Sequence, residues 1–117
     1  MSIQRFGVGP RMSDAVVHGD TVYLAGHVAG PETKGKSVTE QTRDILAQIE
    51  ETLAEAGSDK TKILSTTIYL ADIKTFPEMN AVWDAWVAQG HTPARATVEA
   101  KLAAPDYTVE IVVVAAR

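Results

Sequence analysis

The chain has 117 residues and no cysteine: enough for one packed core, too few for two, and without material for a disulfide framework, a thiolate metal site or a thiol nucleophile. Hydrophobic residues make up 45% and charged residues 22%, which excludes disorder and predicts one folded domain over residues 1–117. The net charge of -4 argues against nucleic acid as a partner, because the lysines cluster only as the separated pairs Lys34/Lys36 and Lys60/Lys62.

The first residues, Met1-Ser2-Ile3-Gln4-Arg5-Phe6-Gly7, lack the apolar core of a secretion signal, and no run reaches membrane-spanning length. The expectation is a cytoplasmic protein with no membrane partner. Ala15-Val16-Val17-His18 and Thr21-Val22-Tyr23-Leu24-Ala25 flank Gly19-Asp20, a pair suited to a tight antiparallel hairpin. From Gly30 to Lys36 the chain reads as loop. Ser37 then opens a helix, with Glu40 in place to complete a capping box and Gly57 to end it. Val38, Ile45, Leu46, Ile49 and Leu53 line its apolar face, and Arg43, Asp44, Glu50 and Glu51 its solvated one.

Ile63 to Leu70 alternates as a strand. A second helix is expected from Thr75, with Glu78 three residues on, Pro77 in the first turn and Gly90 as the stop. Its stripe of Phe76, Met79, Val82, Trp83, Trp86 and Val87 reads as core rather than as an aromatic ligand box. Strands at about 94–102 and 107–116 follow, joined by Ala103-Ala104-Pro105-Asp106. The order is β-β-(β)-α-β-α-β-β, an α+β domain with a mixed six-stranded sheet. Two helices, each roughly 10 Å across, cover only one face of such a sheet, so the other face needs a partner.

Two charged residues fall inside strands that otherwise read as buried. Arg95 shares a strand face with Thr97 and Glu99, while Ala94, Ala96, Val98 and Ala100 point the other way. Its guanidinium either pairs with Glu99 or Glu110 or grips the carboxylate of a small organic acid through two parallel N–H donors. Glu110 stands between Val109 and Ile111, and there a carboxylate needs a partner or a purpose. It is either a paired strand carboxylate or a base that orients water. His18, His27 and His91 lack the spacing of a metal site.

Pro93-Ala94-Arg95, the glutamate fifteen residues after that arginine in an Ile/Val-rich strand, Gly19-Asp20, Tyr23-Leu24-Ala25-Gly26 and Asn80 together resemble the Rid family (YjgF-type, or endoribonuclease L-PSP). The resemblance covers nearly the whole chain and is narrower for the YoaB-like branch. It implies a chorismate-mutase-like fold, with the final strand inserted between earlier ones rather than paired as a hairpin, and a homotrimer with ligand clefts between subunits. It also implies hydrolysis of reactive 2-imino acids to 2-keto acids and ammonia, with no metal or organic cofactor because an imine carbon is already electrophilic. On that reading Arg95 anchors the substrate carboxylate and Glu110 positions the hydrolytic water. Gly26, Thr97, Ala25, His27 and Met12 line the substrate pocket.

Three positions depart from the family pattern: Met12 stands where a tyrosine is usual, Ala25 where a serine is, and Thr97 where a cysteine is common. They keep open a rival reading, a non-catalytic protein that binds or senses keto acids. An endoribonuclease is a third reading, disfavoured by the acidic balance and the absence of a histidine pair. Arg95 and Glu110 are expected to be offset by three to six positions, roughly 10 to 20 Å at about 3.3 Å per residue, so that they meet only across two subunits.

Overall fold

Alternating apolar residues place six strands in one mixed sheet in a computed structural model that describes residues 1–117. The strands are β1 (Ile3–Phe6), β2 (Ala15–His18), β3 (Thr21–Leu24), β4 (Ile63–Leu70), β5 (Ala94–Glu99) and β6 (Val109–Ala116). Across the sheet they run β1-β2-β3-β6-β4-β5. Only the β4–β5 pair is parallel, as a strand-helix-strand crossover requires. β6 therefore does lie between earlier strands. Its alternation is complete: Val109, Ile111, Val113 and Ala115 are buried, while Glu110, Val112, Val114 and Ala116 are half-buried on the opposite face.

Helices α1 (Val38–Glu55) and α2 (Phe76–Trp86) cover the first of those faces. Ser37 Oγ accepts the Glu40 N–H at 3.1 Å, which caps α1 as its local sequence dictates. Gly57, at φ +83°, supplies the left-handed residue just beyond its end. Ile45, Leu46, Ile49 and Leu53 of α1 close the core against Val22, Ile68, Ile111 and Val113. Gln41 lies among them, fully buried. Its Nε2 donates to the carbonyls of Lys36 (3.0 Å) and Asp106 (2.9 Å), and its Oε1 accepts the Thr108 N–H at 3.0 Å, so one amide ties the loop before α1 to the start of β6.

Four expectations need correction. The additional strand is β1, ahead of the hairpin; after it, only His27 bridges to Ile111. The α2 capping box does not form: the Thr75 hydroxyl donates to Asp72 O, and Glu78 instead accepts the backbone N–H and hydroxyl of Thr39 on α1. α2 ends at Trp86, with Val87 already extended, well before Gly90. Asp44 is not simply solvated, because its carboxylate accepts the Gly30 N–H and the Thr33 hydroxyl and staples the loop after the hairpin. Burial alone would raise its pKa; the hydrogen bonds from Thr33, Gly30 and Gln48 outweigh that and hold it below the ordinary 3.8.

Candidate functional site

β6 turns Glu110 onto the open face of the sheet, opposite Tyr69 of β4. Gly26 abuts it. A Cβ at residue 26 would fall within the envelope of Glu110 Oε2 and 3.0 Å from its Cδ, so the missing side chain is the space the carboxylate occupies. Gly26 is absent from the positive-φ glycines; it serves here through close approach rather than as a turn residue. His27 N–H donates to Ile111 O at 2.9 Å and Ile111 N–H to His27 O at 3.1 Å, which holds the 25–27 segment against the strand carrying Glu110.

The His27 ring is engaged on both sides. Its Nδ1 lies 2.8 Å from Ala25 O, which can only accept and so fixes a proton on Nδ1, and its Nε2 lies 3.3 Å from Thr52 Oγ1 on α1. Beside it opens a cavity of about 340 Å³ lined by Met12, Ala25, Gly26 and His27, four of the residues singled out from the sequence. Asp14, Glu51 and Glu55 give that cavity an acidic rim, which sequence reading missed because the three belong to different elements and no local pattern links them.

Arg95 and Thr97 lie elsewhere. β5 is an edge strand with no buried residue, contrary to the buried strand expected. Arg95 sits in register with the buried Thr66 of β4 and therefore on the helix side of the sheet. There its guanidinium carbon lies 5.4 Å from the Trp83 ring centre and 5.7 Å from that of Phe76, both on α2. The apolar Ala94, Ala96 and Val98 face the open side. No carboxylate of the same chain pairs with Arg95: the ion pairs are Lys60–Glu50 and Lys62–Asp59, Glu99 accepts the Ile73 N–H, and Glu110 is on the other face. The buried hydroxyls of Thr66 and Thr97, in line along this strip, have no hydrogen-bond partner in the chain.

The chain thus brings Glu110 and Gly26 together, and Met12, Ala25, Gly26 and His27 around one cavity, and it sets Arg95 and Thr97 apart from both. The register puts Arg95 level with Thr66 and Glu110 level with Tyr69, an offset of three residues, the low end of the expected range. The fold offers no cluster of three or more His, Asp or Glu side chains able to hold a metal ion, and no helix long and apolar enough to cross a membrane.

The endoribonuclease L-PSP family profile matches residues 3–117. With that match, the chain belongs to the endoribonuclease L-PSP family, also called Rid or YjgF. Within it the chain falls in the YoaB-like branch: it is 47% identical over 116 residues to the RutC family protein YoaB of Escherichia coli K12, with 99% of each chain covered. A solved YjgF-family structure, NMB1025 from Neisseria meningitidis, superposes with a TM-score of 0.96 at 50% identity, covering 100% of this chain and 96% of that one. The chain is also 31% identical over 107 residues to a rat protein named 2-iminobutanoate/2-iminopropanoate deaminase, covering 88% of this chain and 77% of that protein.

Proposed function

We propose that the protein hydrolyses reactive 2-imino acids to 2-keto acids and ammonia in clefts between the chains of a homotrimer. The observation that carries this reading is the Glu110 carboxylate lodged against Gly26 on the open face of the sheet. A family-level deaminase role is supported by the rat relative. Glu110 orients a water and takes its proton as the oxygen attacks the imine carbon. That proton passes to the imine nitrogen to give a carbinolamine, whose hydroxyl proton is then transferred to the amine, so that C–N breaks, C=O forms and ammonia leaves. Arg95 from a neighbouring chain holds the substrate carboxylate through paired N–H donors, and the Thr97 hydroxyl, unpartnered within its own chain, faces the same way.

The trimer has a physical motive in the uncovered sheet face. Tyr23 and Val98 are 49% and 45% exposed there, alongside Val112, Val114 and Ala96, an apolar surface that a second and third copy would bury.

The second reading, a keto-acid sensor, draws on Met12, which gives the cavity a thioether where the family has a phenol. One experiment separates the two. 2-Iminobutyrate is generated in situ and 2-ketobutyrate formation is followed with and without protein, for the parent and for Arg95→Ala. Acceleration that Arg95→Ala abolishes is expected. Binding of 2-ketobutyrate with no acceleration by the parent overturns the enzyme in favour of the sensor.

A further inference from the structure

We infer that Phe76 and Trp83 of α2 are the positioning residues for Arg95: their rings hold the guanidinium and leave its N–H donors for an anion. The inference rests on the reading of Arg95 as a carboxylate anchor and adds what sets its geometry. An arginine on an edge strand ordinarily samples many rotamers, and ordering it costs up to about 2 kcal/mol of side-chain entropy. Here the two rings restrict that freedom. The guanidinium carbon lies 5.4 Å from the Trp83 ring and 5.7 Å from the Phe76 ring, within range for cation–π attraction. A cation–π contact engages the charge of the guanidinium without using its N–H donors, and no carboxylate of the chain pairs with it.

The Trp83 ring is itself fixed from behind. Trp83 is 5% exposed and rests on Trp86, with ring centres 5.4 Å apart. Trp86 Nε1 donates to Glu50 of α1, and Lys60 Nζ lies 5.2 Å from the Trp86 ring while donating to Trp86 O at 2.6 Å. The stack Arg95–Trp83–Trp86–Lys60 therefore transmits the rigidity of the helix pair to one side chain at the sheet edge. The apolar stripe of α2 has a double use: Met79 and Val82 close the core, while Phe76 and Trp83 also aim a cation.

The test uses 2-ketobutyrate as probe and the full chain. Phe76 is 37% exposed, so Phe76→Leu is expected to fold, which a thermal melt confirms, while weakening binding by calorimetry about five-fold. Phe76→Tyr, which keeps the ring, is expected to stay within about two-fold of the parent. The chain has two tryptophans, so Trp86→Phe makes Trp83 the sole indole emitter. In that background 2-ketobutyrate should change the emission, and adding Arg95→Ala should remove the change. If Arg95→Ala loses binding but Phe76→Leu binds like the parent, or if Trp83 emission is silent while calorimetry shows binding, the inference falls and the anchor stands. If Arg95→Ala binds as tightly as the parent, the anchor itself is wrong.

Discussion

Arg95 and Glu110 belong to one sheet, yet their surroundings have little in common. Arg95 lies on an edge strand, turned under α2 and braced by aromatic rings. Glu110 lies on a central strand, turned away from both helices and fitted into a notch made by an absent side chain. Two strands and three residues of register separate their α-carbons by about 14 Å, and the sheet itself lies between their side chains. A substrate of a few carbon atoms does not span that gap. The difference teaches that, on the proposed reading, each chain carries two half-sites, and that chemistry using both would require a second copy to bring the complementary half alongside.

Subunit mixing tests this division most severely. Arg95→Ala and Glu110→Ala should each reduce imine hydrolysis about 100-fold or more, while exchanged trimers from an equal mixture should regain roughly one intact cleft in four. Demonstrated exchange with no recovery breaks the two-copy picture. Arg95→Lys sharpens the cationic half: the charge remains but the planar fork is lost, and calorimetry with 2-ketobutyrate should show about ten-fold weaker binding.

Gly26→Ala probes the other half and should separate function from stability. The new methyl meets the far end of a flexible side chain, so Glu110 can swing away and the unfolding free energy from urea titration should fall by about 1 kcal/mol or less. The displaced carboxylate should cost about ten-fold in kcat, because small errors of placement are amplified in the transition state. A large loss of stability with full activity would contradict the notch.

The smallest effect concerns neither half-site. Asp44 has a folded pKa below the ordinary 3.8, so its stabilisation is fully present above that value and disappears as pH falls through the lowered folded value. Asp44→Asn should therefore flatten the acid limb of the stability curve by about 1 kcal/mol at most, a change read by urea titration across that limb and leaving imine hydrolysis near neutrality unaltered.

What could be read from the sequence was whatever neighbours along the chain decide. The α1 cap needs only Ser37 and the backbone N–H of Glu40, and that half of the expected capping box formed, whereas the Glu40 side chain does not reach back to Ser37. The similar pattern at Thr75 and Glu78 failed because Thr39, on another helix, took the carboxylate. β1 was placed on the wrong side of the hairpin because Ile3-Gln4-Arg5-Phe6 lies at an edge and buries no residue that would mark a period. The alternation in β5 separated Arg95 from Ala94 and Ala96 correctly but did not say which side the helices cover. The reason for Gly26 lies at Glu110, and the reason for Gln41 lies at Asp106 and Thr108; no local window contains either pair. Family resemblance supplied the insertion of β6, which local reading alone would have made a hairpin with β5.

That insertion has a consequence for how the protein is made. β6 follows every other strand in the chain and yet lies between β3 and β4. Before β6 docks, the β1–β3 meander and the β4–β5 pair remain two separate fragments, each with an unpaired edge where β6 belongs. The exposed interval lasts until residues 109–116 arrive and join the two like the closing piece of a seam. A chain truncated before residue 109 should therefore aggregate, as light scattering would show, whereas the full chain should not.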